Sequence, residues 1–142
     1  MNVQLVTTKE QLEDAYSVRR TVFVHEQHVP LEIEIDQFED EATHVVLYDD
    51  NEEPIGAARV RVLDGIGKLE RICVLSTARK KGAGKLIVNK LEEIATSQGV
   101  SKIKLNAQTH AIPFYESLDY KTVSDVFLDA DMPHVTMVKE VN

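Results

Sequence analysis

The run Arg79-Lys80-Lys81-Gly82-Ala83-Gly84-Lys85 is the stretch of this sequence best suited to chemistry, because it lies between an expected strand and an expected helix. Successive backbone N–H groups at a helix start can converge on an anion, and glycine lets the main chain approach closely. Lys80, Lys81 and Lys85 place positive charge where the helix dipole is already positive, a conflict that a bound anion relieves. A plain glycine turn with solvated lysines is the alternative, since short glycine patterns recur by chance. No GxxxxGK[ST] is present, which excludes a P-loop. GxGxxG is missing too, and the glycine run follows several strands rather than opening the fold, which argues against a Rossmann domain.

Four other groups invite a chemical reading. Cys73, flanked by Ile72 and Val74, fits a small buried hydrophobe better than a nucleophile, because no neighbouring His or Lys activates it. His25 and His28 could share a helical face, with His44 or a carboxylate completing a metal site. Surface or capping histidines are the default, and no metal is assigned. Glu32, Glu34, Asp36, Glu39, Asp40 and Glu41 form an acidic run that is either a solvated loop or a field attracting an ammonium group. His110 is a candidate auxiliary proton carrier.

The elements that must position these residues fit into one domain. A chain of 142 residues can bury roughly two thirds of its unfolded surface and needs no disulfide or structural metal. With 43% hydrophobic and 28% charged residues, six glycines and four prolines, it is neither collagenous nor disordered. Twenty-four acidic against sixteen basic side chains give −8, which disfavours a broad nucleic-acid surface. The opening MNVQLVTTKEQLEDAYSVRR lacks the apolar core of a secretory signal, and no apolar run spans a bilayer. A cytoplasmic protein without membrane contact is expected.

No linker or repeat divides the chain, so residues 1–142 are expected to form a single unit. Val3 and Leu5 suggest a short strand. Thr8 and Gln11 form a capping box for a helix ending near Val24, with Leu12, Ala15, Tyr16, Val22 and Phe23 inward. Residues 25–41 are expected to be irregular, with Leu31, Ile33 and Ile35 tucked against the body and the loop facing substrate. Strands over 43–48, 55–63 and 68–75 should form an antiparallel meander. A helix follows Gly82–Gly84 and stops at Gly99, and a strand over 102–108 completes a βαβ unit. A short helix over 111–118 and closing strands over 120–126 and 134–141 finish an α+β fold with one mixed sheet.

Arg79-x-x-Gly82-x-Gly84 after Leu69-Glu70-Arg71-Ile72-Cys73-Val74-Leu75 resembles the pyrophosphate motif of the GNAT N-acetyltransferase superfamily. Ala111-Ile112-Pro113-Phe114-Tyr115-Glu116-Ser117-Leu118-Asp119-Tyr120 resembles the superfamily's A-x-x-F-Y-E-x-L-G-F segment. Phe23-Val24-His25-Glu26-Gln27-His28-Val29-Pro30, with Asp36, Asp40, Ala42 and His44, is similar to the ElaA/YjcF-like subgroup. Two positions depart from the pattern. Asp119 stands where the family has glycine, and Gln108 where many members have asparagine. Aspartate tolerates the left-handed turn that glycine would serve.

The resemblance implies a GNAT-like domain whose parallel strands splay around acetyl-CoA, used as a co-substrate without a metal. Its pantetheine would pair with the backbone of Ile72, Cys73 and Val74. Its pyrophosphate would sit on the amides from Lys80 to Lys85, across Lys81, Gly82, Ala83 and Gly84, with Arg79 and the lysines adding charge-assisted contacts. Gln108 and Phe114 belong to the same cofactor wall. Tyr115 corresponds to the tyrosine that protonates the departing sulfur, and Glu70 could serve as general base if its pKa is raised. The backbone amide near Val74 would polarise the thioester oxygen. The implied activity is acetyl transfer to a primary amine by direct attack, with Cys73 offering the ping-pong alternative. A non-catalytic acyl-CoA-binding or sensing module on the same scaffold is the competing reading. The family's frequent dimers leave a homodimer possible.

Overall fold

The computed structural model describes residues 1–141. Strand β1 (Asn2–Leu5) leads to helix α1 (Lys9–Arg19), whose start is a full capping box: the Thr8 hydroxyl accepts from the Gln11 amide, and the Gln11 side chain accepts from the Thr8 amide. The helix does not end at Val24. It widens into π-helical turns over Arg20–Glu26, which carry it to Glu26. Such turns are uncommon and often mark functional sites.

Residues 25–41 are less irregular than expected, since Leu31–Glu34 form a short helix α2. Leu31 and Ile33 are exposed there, and Glu34 takes the buried place. One helical turn points neighbours in different directions, so the alternation expected of extended chain does not hold.

Strands β2 (Thr43–Tyr48), β3 (Pro54–Leu63) and β4 (Ile66–Val74) form the antiparallel meander. Helix α3 (Ala83–Ser97) crosses to β5 (Lys102–Gln108), which pairs parallel with β4. A 3-10 turn at Thr109–Ala111 leads into helix α4 (Ile112–Glu116). Asp119 adopts φ 74 in the turn beyond it, as its position in the motif suggested.

The closing strands differ from expectation. Only Lys121–Thr122 pair as β6, while Phe127–Asp129 form β7 in a tight hairpin with β8 (Met132–Glu140). The connecting residues Ala130 and Asp131 both have positive φ, a turn that glycine or asparagine normally announces. The sheet runs β1-β2-β3-β4-β5-β8-β6, with β7 on β8.

The sheet is covered on both faces. Ile87, Val88, Leu91 and Ala95 of α3 pack with Val60, Leu69, Ile103, Leu105 and Met137, and all are nearly inaccessible. Ala15, Val18 and Val22 of the first helix pack with Val46, Ala57 and Cys73. Truncating Leu91 to alanine would cost about 2–5 kcal/mol, because the close-packed site cannot collapse around the void. Among the described residues no helix is long and apolar enough to cross a membrane.

Candidate active site

Pairing between β4 and β5 stops at Leu69 and Leu105, and the two strands separate beyond that point. The cause lies in β4. Ala57 faces Cys73 while Arg59 faces Glu70, so β4 spends three steps where β3 spends two. The extra residue is a bulge with Arg71 at φ 59, a conformation costing a non-glycine residue about 1–2 kcal/mol. Arg71 is held there by bonds to the Glu34 carbonyl and the Asp36 carboxylate, at 3.2 Å each. A cavity of about 970 Å³ fills the resulting wedge. That is large enough for a small-molecule cofactor.

One end of the cavity is the start of α3. Gly82 precedes the helix at φ 83 and supplies no side-chain cap, so the first amides of the helix lack partners from that source. Arg79, Lys80 and Lys85 line this end, while Lys81 is exposed and is not among the lining residues. Gly84 must be small: a Cβ there would come within 3.0 Å of Phe114 Cζ. Arg79 donates to the Val74 carbonyl at 3.0 Å and pairs with both oxygens of Glu26.

Tyr115, Cys73 and Gln108 also line the wedge. Tyr115 is 8% exposed, and burial together with nearby Cys73 pushes its hydroxyl well above the ordinary value. It therefore stays protonated at neutral pH. Burial likewise pushes the Cys73 thiol up to about 12, so little thiolate forms. Gln108 donates to the Gln27 side chain at 2.9 Å and its amide oxygen meets His110 Nε2 at 2.7 Å.

The far side carries an ion network that the sequence reading missed. Arg59 bridges Asp36, Glu39 and Glu70, Arg19 bridges Glu34 and Glu39, and Arg61 bridges Glu70 and Glu41. Arg19, Arg59 and Glu34 are each 1% exposed. The acidic run is thus neither a wholly solvated loop nor a free attracting field, because Glu34, Asp36, Glu39 and Glu41 neutralise buried arginines. Burial alone would raise the carboxyls of Asp36 and Glu39. Contacts from Arg59 and Arg19 outweigh it and hold both at about 2. The alternation of Arg59 and Arg61 in an otherwise apolar strand was the available signal, since two steps along a strand return to one face.

Glu70 lines the wedge, but its environment differs from the one a base requires. Burial acts to raise its carboxyl, and Arg61, Arg59 and Lys68 outweigh it and leave the pKa lowered. Its Oε1 accepts from Arg59 Nε at 3.1 Å and Arg61 Nε at 2.8 Å, while its Oε2 accepts from Arg61 Nη2 at 3.2 Å and lies 3.4 Å from Lys68. Among the described residues no cluster of His, Cys, Asp and Glu is arranged to hold a metal, and His44 Nε2 instead meets the Glu39 carbonyl at 2.8 Å.

Residues 6–141 match the family described as the acetyltransferase (GNAT) domain. The chain belongs to the GNAT acetyltransferase family. YjcF of Bacillus subtilis, named as an N-acetyltransferase, is 50% identical over 141 residues, covering 99% of this chain and 100% of that protein. The crystal structure of Escherichia coli ElaA superposes with a TM-score of 0.84 at 23% identity, over 99% of this chain and 100% of that one. An aminoglycoside 6'-N-acetyltransferase solved with coenzyme A gives a TM-score of 0.78 at 21% identity, over 99% and 97% of the two chains. These last two show the shared fold.

This GNAT protein is therefore an acyl-CoA-dependent N-acetyltransferase, and its cavity suits the co-substrate. The uncapped start of α3 and the lysines beside it fit a pyrophosphate, and the separated edges of β4 and β5 offer backbone groups to an extended arm.

Proposed function

We propose that this GNAT protein, with residues 1–142 acting as one catalytic domain, transfers an acetyl group from acetyl-CoA directly to a primary amine. The placement of Tyr115 carries the reading: a buried, protonated phenol on the cavity wall, beside the gap between β4 and β5. Lys80, Lys85 and the amides from Gly82 to Lys85 hold the pyrophosphate, and Ile72, Cys73 and Val74 present strand backbone to the pantetheine arm. Phe114 and Gln108 close the wall around it.

Tyr115 donates its proton to sulfur as the carbon–sulfur bond breaks, while the amine nitrogen forms its bond to the carbonyl carbon. The Val74 amide polarises the carbonyl oxygen. Cys73 takes no covalent part, because a thiol with a pKa near 12 supplies almost no nucleophile at neutral pH. Glu70, saturated by arginine donors, serves as the anionic member of the acceptor wall rather than as a strong proton acceptor. Primary amines are the acceptor class, and an aminoglycoside belongs among those tried because a CoA-bound neighbour is named for that substrate.

The test is calorimetric titration with acetyl-CoA, followed by thiol release with an aminoglycoside, spermidine and a lysine-containing peptide. Tyr115→Phe is expected to bind acetyl-CoA as the parent does and to turn over about 100-fold more slowly. Equal turnover would remove the acid role. Binding without acetylation of any amine would instead favour a sensing module.

A further inference from the structure

We propose that His134 is the general base that takes the proton from the acceptor's ammonium group, a role that rests on the transferase reading above. His134 lies on β8 directly opposite Gln108, the last residue of β5, where the wedge is open. Directly paired residues share a face of the sheet. His134 therefore projects with Gln108, while its neighbour Val135 enters the core beneath α3. The side chain is 7% exposed and lines the cavity.

Its ring is held in one orientation, which fixes the tautomer of the neutral form. Nδ1 lies 2.8 Å from the Met132 carbonyl, and a carbonyl only accepts, so Nδ1 carries the proton. The neutral ring then keeps its lone pair on Nε2. Phe127 flanks the imidazole at 22° between planes, with 6.1 Å between centroids. No hydrogen bond to Nε2 is found among the described residues, and Nε2 is not among the atoms sealed from solvent without a partner.

Of the other proton acceptors lining the cavity, most are engaged: Glu26 pairs with Arg79, and only the exposed carboxylate of Asp129 has no side-chain partner among the described residues. Glu70 is paired with Arg59 and Arg61 through both oxygens, and His110 spends its Nε2 on Gln108. Glu34 Oε2 has no partner, but it is closed off from solvent. The charged and titratable groups lining the cavity with His134 are Asp129 on β7, His110 after β5, Lys68, Glu70, Arg71 and Cys73 on β4, Tyr115 on α4, Glu26 and Glu34 from the first helices, and Arg79, Lys80 and Lys85 around the start of α3. An ammonium entering there meets one exposed, preoriented lone pair on a buried ring.

Nε2 takes one N–H proton, and that bond's electron pair becomes the nitrogen lone pair that forms the new C–N bond. The C–S pair leaves with sulfur, which receives the Tyr115 proton. The nitrogen sheds its second surplus proton, which restores Tyr115 through solvent, and the imidazolium releases its own to water. One proton is freed per amide formed.

The experiment compares the parent protein with His134→Gln, His134→Asn and His134→Ala, using the aminoglycoside, spermidine and peptide as acceptors. Expected are a loss of at least about 100-fold in kcat/KM for the amine, an acetyl-CoA affinity within twofold of the parent, and disappearance of the low-pH limb of the rate profile. Added imidazole should partly restore His134→Ala. Parental rates and pH profile in these variants would overturn the proposal while leaving the transferase reading intact. A parent that binds acetyl-CoA yet acetylates none of the three amines would overturn the transferase reading and this role with it. Should the variants fail to fold, nitrogen-15 spectra of the parent decide. A protonated Nδ1 with a bare Nε2 that responds to spermidine supports the assignment, and the opposite tautomer or an unresponsive Nε2 overturns it.

Discussion

The guanidinium of Arg79 grips the carboxylate of Glu26 through two hydrogen bonds of 2.6 and 2.7 Å, tying the loop before α3 to the last π-helical turn. Arg79 is the arginine that the glycine motif assigns to the co-substrate's pyrophosphate. In the proposed binding mode its partner is therefore an anion standing beside the place where another anion would bind.

Replacing Glu26 removes that negative charge and releases two guanidinium donors. Glu26→Gln is expected to tighten CoA binding by about threefold at low salt, in keeping with the small worth of exposed ion pairs. The gain should shrink at high salt, where screening weakens both arrangements. Calorimetric titration at two salt concentrations checks this, and weaker binding in the variant would mean that Glu26 positions Arg79 instead of competing for it.

The three lysines of the motif are expected to separate. Lys80 and Lys85 line the cavity and Lys81 does not. Lys80→Ala and Lys85→Ala should each weaken CoA binding by about fivefold, the scale of a partly solvated contact to a charged group. Lys81→Ala should leave the affinity as it was. Equal losses at all three positions would show a diffuse electrostatic field in place of specific contacts.

The ion network predicts a stability profile. Asp36 and Glu39 are held at about 2 in the folded protein and titrate near 4 once unfolded. Their folded pKa values are depressed, so their contribution is complete above about pH 4.5 and is lost as the pH falls toward 2. The melting temperature should be flat from neutral pH down to about 5 and then drop. Arg59→Met leaves buried carboxylates without their shared partner and should cost about 3–5 kcal/mol. A melting temperature unchanged down to pH 3, or unchanged by Arg59→Met, would show that the network does not support the fold.

Cys73 should be inert. With its thiol buried and pushed up to about 12, alkylation by iodoacetamide at pH 8 should proceed at full rate only after unfolding. Cys73→Ala should keep its turnover and lose about 1 kcal/mol of stability from the small void. A large fall in turnover in a folded Cys73→Ala protein would revive a covalent route.

Much of this protein is legible without coordinates. The capping box at Thr8, the strand pattern over 43–75, the glycine run before α3 and the stop at Gly99 are local signals, and local backbone preference is strong enough to express them. The glycine run and the phenylalanine-tyrosine-glutamate segment identified the family because they combine residue type with order and spacing.

What tertiary structure alone decided concerns partners distant in the chain. Glu70 looked available as a base until Arg59 and Arg61, adjacent only through strand pairing, were seen to saturate it. The acidic run looked like loop until Arg19 and Arg59 drew Glu34, Asp36 and Glu39 into the interior. The β7–β8 turn lacks glycine and asparagine, so His134 gave no sign that it would face the cavity. Side-chain periodicity assigns a residue to a face, but a proton acceptor's usefulness depends on which donors reach it, and those arrive from elements tens of residues away.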